Sequence, residues 1–163
     1  MQPDLDRCRL RPMALADLPG VVDNEGSCHY SAWTADLFRT SLTSGQRCRV
    51  VELDGAIAGH GVLSVTGPEA EILNLCIGNR FRGRGLGRTL LRHLLAAARE
   101  AGAEDVFLEV RVSNERARRL YEEEGFLRMG KRPAYYPGPN GREDGLILGR
   151  HIGEALFSDP CGA

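Results

Sequence analysis

The stretch from Asn74 to Ala101, NLCIGNRFRGRGLGRTLLRHLLAAAREA, constrains this chain more than any other part of it. An apolar strand, Ile72 to Ile77, turns at Gly78-Asn79 and enters a loop where Gly83, Gly85 and Gly87 alternate with Arg82, Arg84, Leu86 and Arg88. Leu86, Leu90, Leu91, Leu94, Leu95 and Ala98 then recur at helical spacing, and Gly102 is placed to stop the helix. A strand, a glycine-rich loop and a helix N-terminus in this order form an anion cradle. The first-turn N–H groups and the helix dipole favour negative charge, glycines admit close backbone approach, and arginines add charge-assisted hydrogen bonds. The plain alternative is a solvated arginine run on an amphipathic helix. Three glycines within residues 82–88 weigh against it, since each costs a helix about 1 kcal/mol relative to alanine.

At 163 residues the chain fits one domain, read here as residues 1–153 with a frayed tail at 154–163. Apolar content of 42% and charged content of 26% are those of a soluble globular protein. The net charge of -1 gives no general attraction to nucleic acid or to an anionic membrane, so the arginine cluster is a local feature. No window approaches a membrane span and the N-terminus lacks an apolar secretory core, which points to a cytoplasmic protein. Five scattered cysteines (Cys8, Cys28, Cys48, Cys76, Cys161) with no C-x-x-C suggest neither a disulfide framework nor a zinc site. No metal is expected.

In chain order, Cys8 to Pro12 reads as an edge strand and Leu15 to about Cys28 as a helix. Thr34 is a good N-cap for a second helix over Ala35 to Ser41. Gln46 to Leu53 and Ala56 to Val65 read as a hairpin about Asp54-Gly55, and Gly67-Pro68 turns into a strand over Glu69 to Ile77. After the loop and helix come a strand from Asp105 to Arg111 and a short helix from Glu115 to Glu124, capped by Asn114 and stopped by Gly125. Phe126 to Lys131 is a strand, Pro133 to Asp144 a loop, and Gly145 to Arg150 the last strand. The order β-α-α-β-β-β-α-β-α-β-β predicts a mixed α/β fold with a right-handed parallel crossover.

The glycine loop is not a Walker loop, since no Gly-Lys-Ser/Thr ends it, and its glycine spacing does not match the dinucleotide fingerprint. Arg82-x-x-Gly85-x-Gly87 at a helix start instead resembles the pyrophosphate loop of the GNAT N-acetyltransferase superfamily, whose ligand is acetyl-CoA. Downstream, LEVRVSN, then LYEE.GF, YYP and GRED narrow the likeness to the RimI-like ribosomal-protein-alanine N-acetyltransferases, from about Ile72 to Leu148. There are two departures from the usual superfamily pattern: Gly78-Asn79 stands where Asp-Pro is usual, and Arg82, a common variant, stands in place of glutamine.

The resemblance implies the GNAT fold and direct transfer of acetyl from acetyl-CoA to the N-terminal amine, alanine above all, of a small-subunit ribosomal protein. It places Leu75, Cys76 and Ile77 along the pantetheine arm, Arg82, Gly83, Arg84, Gly85, Leu86, Gly87 and Arg88 on the pyrophosphate, and Asn114 on the cofactor. Glu109 becomes the general base and Tyr121 the general acid, while Tyr135, Tyr136 and Trp33 hold the acceptor peptide. The partners implied are acetyl-CoA and that peptide, with no nucleic acid and no membrane, in a monomer or weak dimer.

The residues alone leave more room. Glu109 lies among Val106, Phe107, Leu108 and Val110; a carboxylate in apolar surroundings suits proton acceptance, but a salt bridge to Arg111 is an equal reading. Tyr121 lies seven residues after Asn114, so the two can face one side of a helix, yet a core tyrosine with a satisfied hydroxyl is the commoner fate of a lone tyrosine; the motif context favours a functional one. Cys76 invites a covalent route, but no histidine is placed nearby in sequence to activate it, so it is read as packing. The rivals are a GNAT enzyme for another N-terminus, a lysine or a small-molecule amine, and a non-catalytic acyl-CoA sensor.

Overall fold

The Asp54-Gly55 dipeptide takes positive φ at both positions (53° and 84°), the geometry of a two-residue hairpin turn. That turn joins β2 (Arg47–Leu53) to β3 (Ala56–Thr66), and a further turn leads into β4 (Glu69–Ile77). The computed structural model describes residues 7–153, so the expected tail at 154–163 lies outside the described residues. With β1 (Cys8–Pro12), β5 (Asp105–Arg111), β6 (Leu127–Gly138) and β7 (Gly141–His151), these strands form a seven-stranded sheet in the order β1-β2-β3-β4-β5-β7-β6. All neighbours are antiparallel except β4 and β5, whose crossover is the helix α3 (Leu86–Glu100).

Helices cover both faces of the sheet. Val50 and Val51 are adjacent, so they point to opposite faces. Val51 joins the main core, made with Leu86, Leu90, Leu91, Leu94, Leu95 and Ala98 of α3 and with Tyr121 and Phe126. Val50 joins a smaller core with Leu18, Val21 and Phe38, from α1 (Leu18–Cys28) and α2 (Ala35–Thr43). The apolar stripe expected on α3 is therefore the buried one. Thr34 caps α2 by accepting the N–H of Leu37 at 3.2 Å. Asn114 caps α4 (Glu115–Glu123) by accepting the N–H of Ala117 at 3.2 Å. No described helix is long and apolar enough to cross a membrane.

Three expectations require correction. The first helix begins at Leu18, and Leu15–Asp17 forms a separate 3-10 turn, because Pro19 fits only the first turn of an α-helix. The expected loop from Pro133 to Asp144 is the far half of a long hairpin. Its strands pair Arg132 with Gly145 and Tyr136 with Glu143, and Pro133-Ala134-Tyr135 bulge out between those pairs. Proline has no N–H to give a ladder, so it falls in the bulge, where Ala134 sits at φ 49° and donates its N–H to Asp144 Oδ1 at 2.8 Å.

Two of the cysteines, expected to be unpaired, are joined. Cys28 at the end of α1 and Cys76 in β4 form a disulfide across a sequence separation of 48, with Cα atoms 5.8 Å apart. Cys8 and Cys48 are free. Cross-linking a loop of that length removes denatured-state entropy worth about 4 kcal/mol. Reduction, or the Cys28→Ala/Cys76→Ala double substitution, should therefore lower unfolding stability by that order. Urea titration of oxidised and reduced protein measures the difference, and coincident midpoints would contradict it.

Candidate active site

The parallel pairing of β4 and β5 runs only from Glu69–Asp105 to Ile72–Leu108. Beyond that point β4 stays paired with β3 on one side, out to Gly59–Ile77, while β5 continues beside β7. The stretch from Leu73 to Ile77 thus presents one edge with no strand partner among the described residues. Its side chains are committed elsewhere: Leu75 and Ile77 pack on the main core and Cys76 is in the disulfide. What this edge offers a ligand is backbone N–H and C=O.

The edge leads directly to the glycine loop. Gly83 and Gly85 both take the left-handed conformation, at φ 81° and 80°, which an L side chain adopts only with strain. Gly85 is the residue preceding α3, and no side chain caps that helix start. The amides of the first turn are the unfilled donors that an anion takes. Leu86 is buried in the core, so it presents its amide alone.

The arginines stand differently from the expected ring of phosphate ligands. Arg82 turns back, donating to the carbonyls of Ile77 (3.2 Å) and Ser27 (3.0 Å) and to Asn79 Oδ1 (3.3 Å). It ties the loop to the end of β4 and to α1. Arg88 pairs with Glu123 and Glu124 of the α4 terminus, at 2.5 Å each. Arg84 is exposed on the loop itself. Gly78 stands where aspartate was usual, and a Cβ there would lie 2.1 Å from Asn24 Oδ1, so the Asn24 side chain, whose Nδ2 donates to the Ile57 carbonyl at 2.8 Å, would have to shift.

Glu109 is the first β5 residue past the last β4–β5 pair. It does not share the buried face of Val106, Leu108 and Val110; strand alternation sets it on the half-exposed face with Phe107 and Arg111. Its ion partner is Arg132 of β6, whose Nε lies 2.7 Å from Oε2, and not Arg111. Tyr136 donates its hydroxyl to the other oxygen, Oε1, at 3.4 Å. Burial, and then the charge of Glu109, push the Tyr136 phenol up to about 12. The Tyr136 ring reaches this position across β7 because residue 145 is glycine; a Cβ there would lie 2.7 Å from Tyr136 Cε2.

The remaining predicted residues are placed as follows. Tyr121 is 7% exposed in the main core, edge-on to Phe126 at 5.8 Å, and its phenol pKa is raised by burial. Asn114 lies outside the helix as its N-cap, so the shared helical face with Tyr121 does not apply. Tyr135 is half-exposed and stands T-shaped to Tyr136 at 5.0 Å. Trp33 packs against Phe38 at 5.1 Å in the smaller core.

Two features went unassigned in the sequence. Glu143 and Asp144 of GRED are fasteners. Glu143 accepts from Ser113 Oγ at 3.0 Å and Ser113 N at 3.2 Å and pairs with Arg111 at 3.1 Å, contacts that lower its pKa. Asp144 holds the bulge. The second feature is a buried cluster. Glu25, fully buried, lies 2.8 Å from His60 Nε2 and accepts from Asn74 Nδ2 at 3.1 Å and from the Trp33 N–H at 3.0 Å. It fixes the α1–α2 connection to β3 and β4. Polar residues at strand core positions, His60 between two glycines and Asn74 between leucines, were the available signal. Glu25, His60 and Cys76 bring donor atoms within 4.8 Å of one another, but the Cys76 sulfur is already bonded.

The Acetyltransferase (GNAT) family model matches residues 16–126. A Bacillus subtilis protein, provisionally named a ribosomal protein bS18-alanine N-acetyltransferase, is 37% identical over 91% of this chain and 98% of its own length. The Escherichia coli strain K12 protein named ribosomal protein bS18-alanine N-acetyltransferase is 34% identical over 81% of this chain and 89% of its own. The crystal structure of the Escherichia coli ribosomal-protein-S18-alanine N-acetyltransferase superposes with a TM-score of 0.85 at 29% identity, covering 94% of this chain and 99% of that one.

Gly145→Ala should drive the Tyr136 ring off Glu109 while leaving the strands paired. One of the four tyrosines would then titrate nearer the ordinary phenol value of about 10, because both burial and the neighbouring carboxylate are lost. Tyrosine-resolved NMR titration reads this directly, and an unchanged titration would contradict the packing account.

Proposed function

The chain belongs to the GNAT acetyltransferase family, and from that premise we propose that it acetylates the α-amine of an N-terminal alanine on a small-subunit ribosomal protein. Acetyl-CoA, whose thioester supplies the acetyl group, is the co-substrate. One observation carries the reading: the carboxylate of Glu109 stands at the fork where the edge of β4 becomes open. That edge suits an extended amide-bearing arm, bound as an added strand is. The first-turn amides of α3, reached over Gly83 and Gly85, suit its pyrophosphate.

Glu109 takes the proton that the amine gives up as the new C–N bond forms and the thioester C–S bond breaks. Tyr121 gives its proton to the departing sulfur, and solvent restores both groups. A phenol carries its proton at neutral pH, and burial shifts Tyr121 further in that direction, so the proton is in place before the reaction. Arg111, fixed by Glu143 and by the Pro137 carbonyl at 2.8 Å, supports Tyr136 from below, with its guanidinium 4.7 Å from the ring centre. Tyr135 and Tyr136 then form the wall against which the acceptor peptide lies. An α-amine is about a quarter neutral at pH 7.4, whereas a lysine ε-amine is neutral about once in a thousand, so one carboxylate suffices for an N-terminus.

The test is acetyl transfer to a short peptide beginning with alanine, beside an N-terminally blocked twin that contains lysine. Acetylation of the free peptide alone is the expected result, with Glu109→Gln lowering kcat by about a hundredfold or more. Reaction of both peptides would move the acceptor to lysine or to amines broadly. Tight acetyl-CoA binding with no transfer, indifferent to Glu109→Gln and Tyr121→Phe, would make the protein a sensor.

A further inference from the structure

Arg132 was assigned no part in the site by the sequence, yet it holds the one carboxylate on which the proposed chemistry depends. Its Nε donates to Glu109 Oε2 at 2.7 Å, while Tyr136 takes Oε1, so the two oxygens of Glu109 are divided between them. The contact is made from β6, two strands away from β5, because the bulge at Pro133–Tyr135 resets the strand next to it. The Arg132 side chain is 50% exposed and that of Glu109 19%, so the pair closes the carboxylate from the solvent side. The guanidinium also lies 5.1 Å from the Tyr135 ring centre, a second resting place that does not require Glu109. The neighbouring cation has no such freedom, since Arg111 is held by Glu143 and by a backbone carbonyl. A second carboxylate, Glu71, lies beside them on β4 at the register of Phe107.

We infer that Arg132 is a placeholder: in the free enzyme its guanidinium occupies the place on Glu109 that the acceptor amine takes. This deepens the functional reading above and rests on Glu109 being the base. The acceptor must displace a cation from that oxygen, and the guanidinium then remains over Tyr135. A half-exposed ion pair is weak enough to be exchanged in this way. It is also sufficient to favour a chain-terminal amine that engages Glu109 and Glu71 together over an uncharged polar group that engages neither. Arg132 is in this sense a specificity-determining residue, acting on acceptor entry and not on the reacting bonds.

Steady-state kinetics with the alanine-starting peptide test it. In Arg132→Ala the acceptor KM should fall about threefold, the scale of a half-exposed pair, and the gain should appear in KM and not in kcat. Arg132→Lys, which keeps a cation, should return KM towards the wild-type value. Methylguanidinium should inhibit Arg132→Ala competitively against peptide, at lower concentration than it inhibits wild type, by refilling the vacated position. In the Glu109→Gln background, Arg132→Ala should no longer tighten peptide binding measured by calorimetry. An acceptor KM that rises or stays unchanged in Arg132→Ala would overturn the inference, as would a loss confined to kcat. The two failures are separable. If Glu109→Gln keeps full activity, the base assignment falls; if it is inactive while Arg132→Ala leaves the acceptor KM in place, only the placeholder falls.

Discussion

The parting of β4 and β5 after the Ile72–Leu108 pair is the constraint on which the rest of this structure depends. Parallel strands held together along their whole length would leave no open edge, and Glu109 would be one more half-buried strand residue. Because the pairing stops at Leu108, the next residue faces an opening whose other wall is backbone with no strand partner among the described residues. The fork is held from both sides. The Cys28–Cys76 disulfide and the Glu25–His60–Asn74 cluster fasten β4 to α1 and β3. The Arg111–Glu143–Ser113 contacts fasten β5 to β7. An open edge of backbone is a template for wrong pairing unless its neighbours are fixed, and these links fix them, buried on the β4 side and part-buried to exposed on the β5 side.

The charges follow the same logic. A loop written with Arg82, Arg84 and Arg88 suggests a ring of cations around a phosphate, but Arg82 donates to the Ile77 and Ser27 carbonyls and Arg88 pairs with Glu123 and Glu124. Arg82 fixes the loop's origin and Arg88 ties α3 to the end of α4, which leaves the amides at the helix start as the fixed donors. Backbone donors cannot swing away, so they define a site more sharply than long side chains do. Around Glu109 the arrangement is reversed: Arg111 is held by Glu143, and the half-exposed guanidinium of Arg132 is the one that touches the carboxylate.

Much of this was legible from local signals. The Asp54-Gly55 turn, the Thr34 and Asn114 caps and the six-residue apolar stripe of α3 each rest on a pattern spanning a few residues, and each stands where the sequence put it. The base role expected for Glu109 rested on family motifs that are themselves local; its position beside the open edge of β4 is a feature of the fold. What escaped was set by distant partners. The disulfide joins residues 48 apart, and the partner of Glu109 came from a strand whose register depends on a three-residue bulge. Proline at 133 read as a loop, although a bulge accommodates it within a strand. The need for glycine at 78 and 145 lies in Asn24 and Tyr136, neither of which adjoins them in sequence.

The most direct measurement is amide hydrogen exchange with and without acetyl-CoA. If the open edge of β4 and the start of α3 are the co-substrate's seat, exchange should slow at the outward amides of Leu73–Ile77 and at the first-turn amides of α3. The paired stretch from Glu69 to Ile72 should be unaffected. Unchanged exchange along Leu73–Ile77 under conditions where acetyl transfer proceeds would contradict the account, because the fork would then not be where the acetyl donor lies.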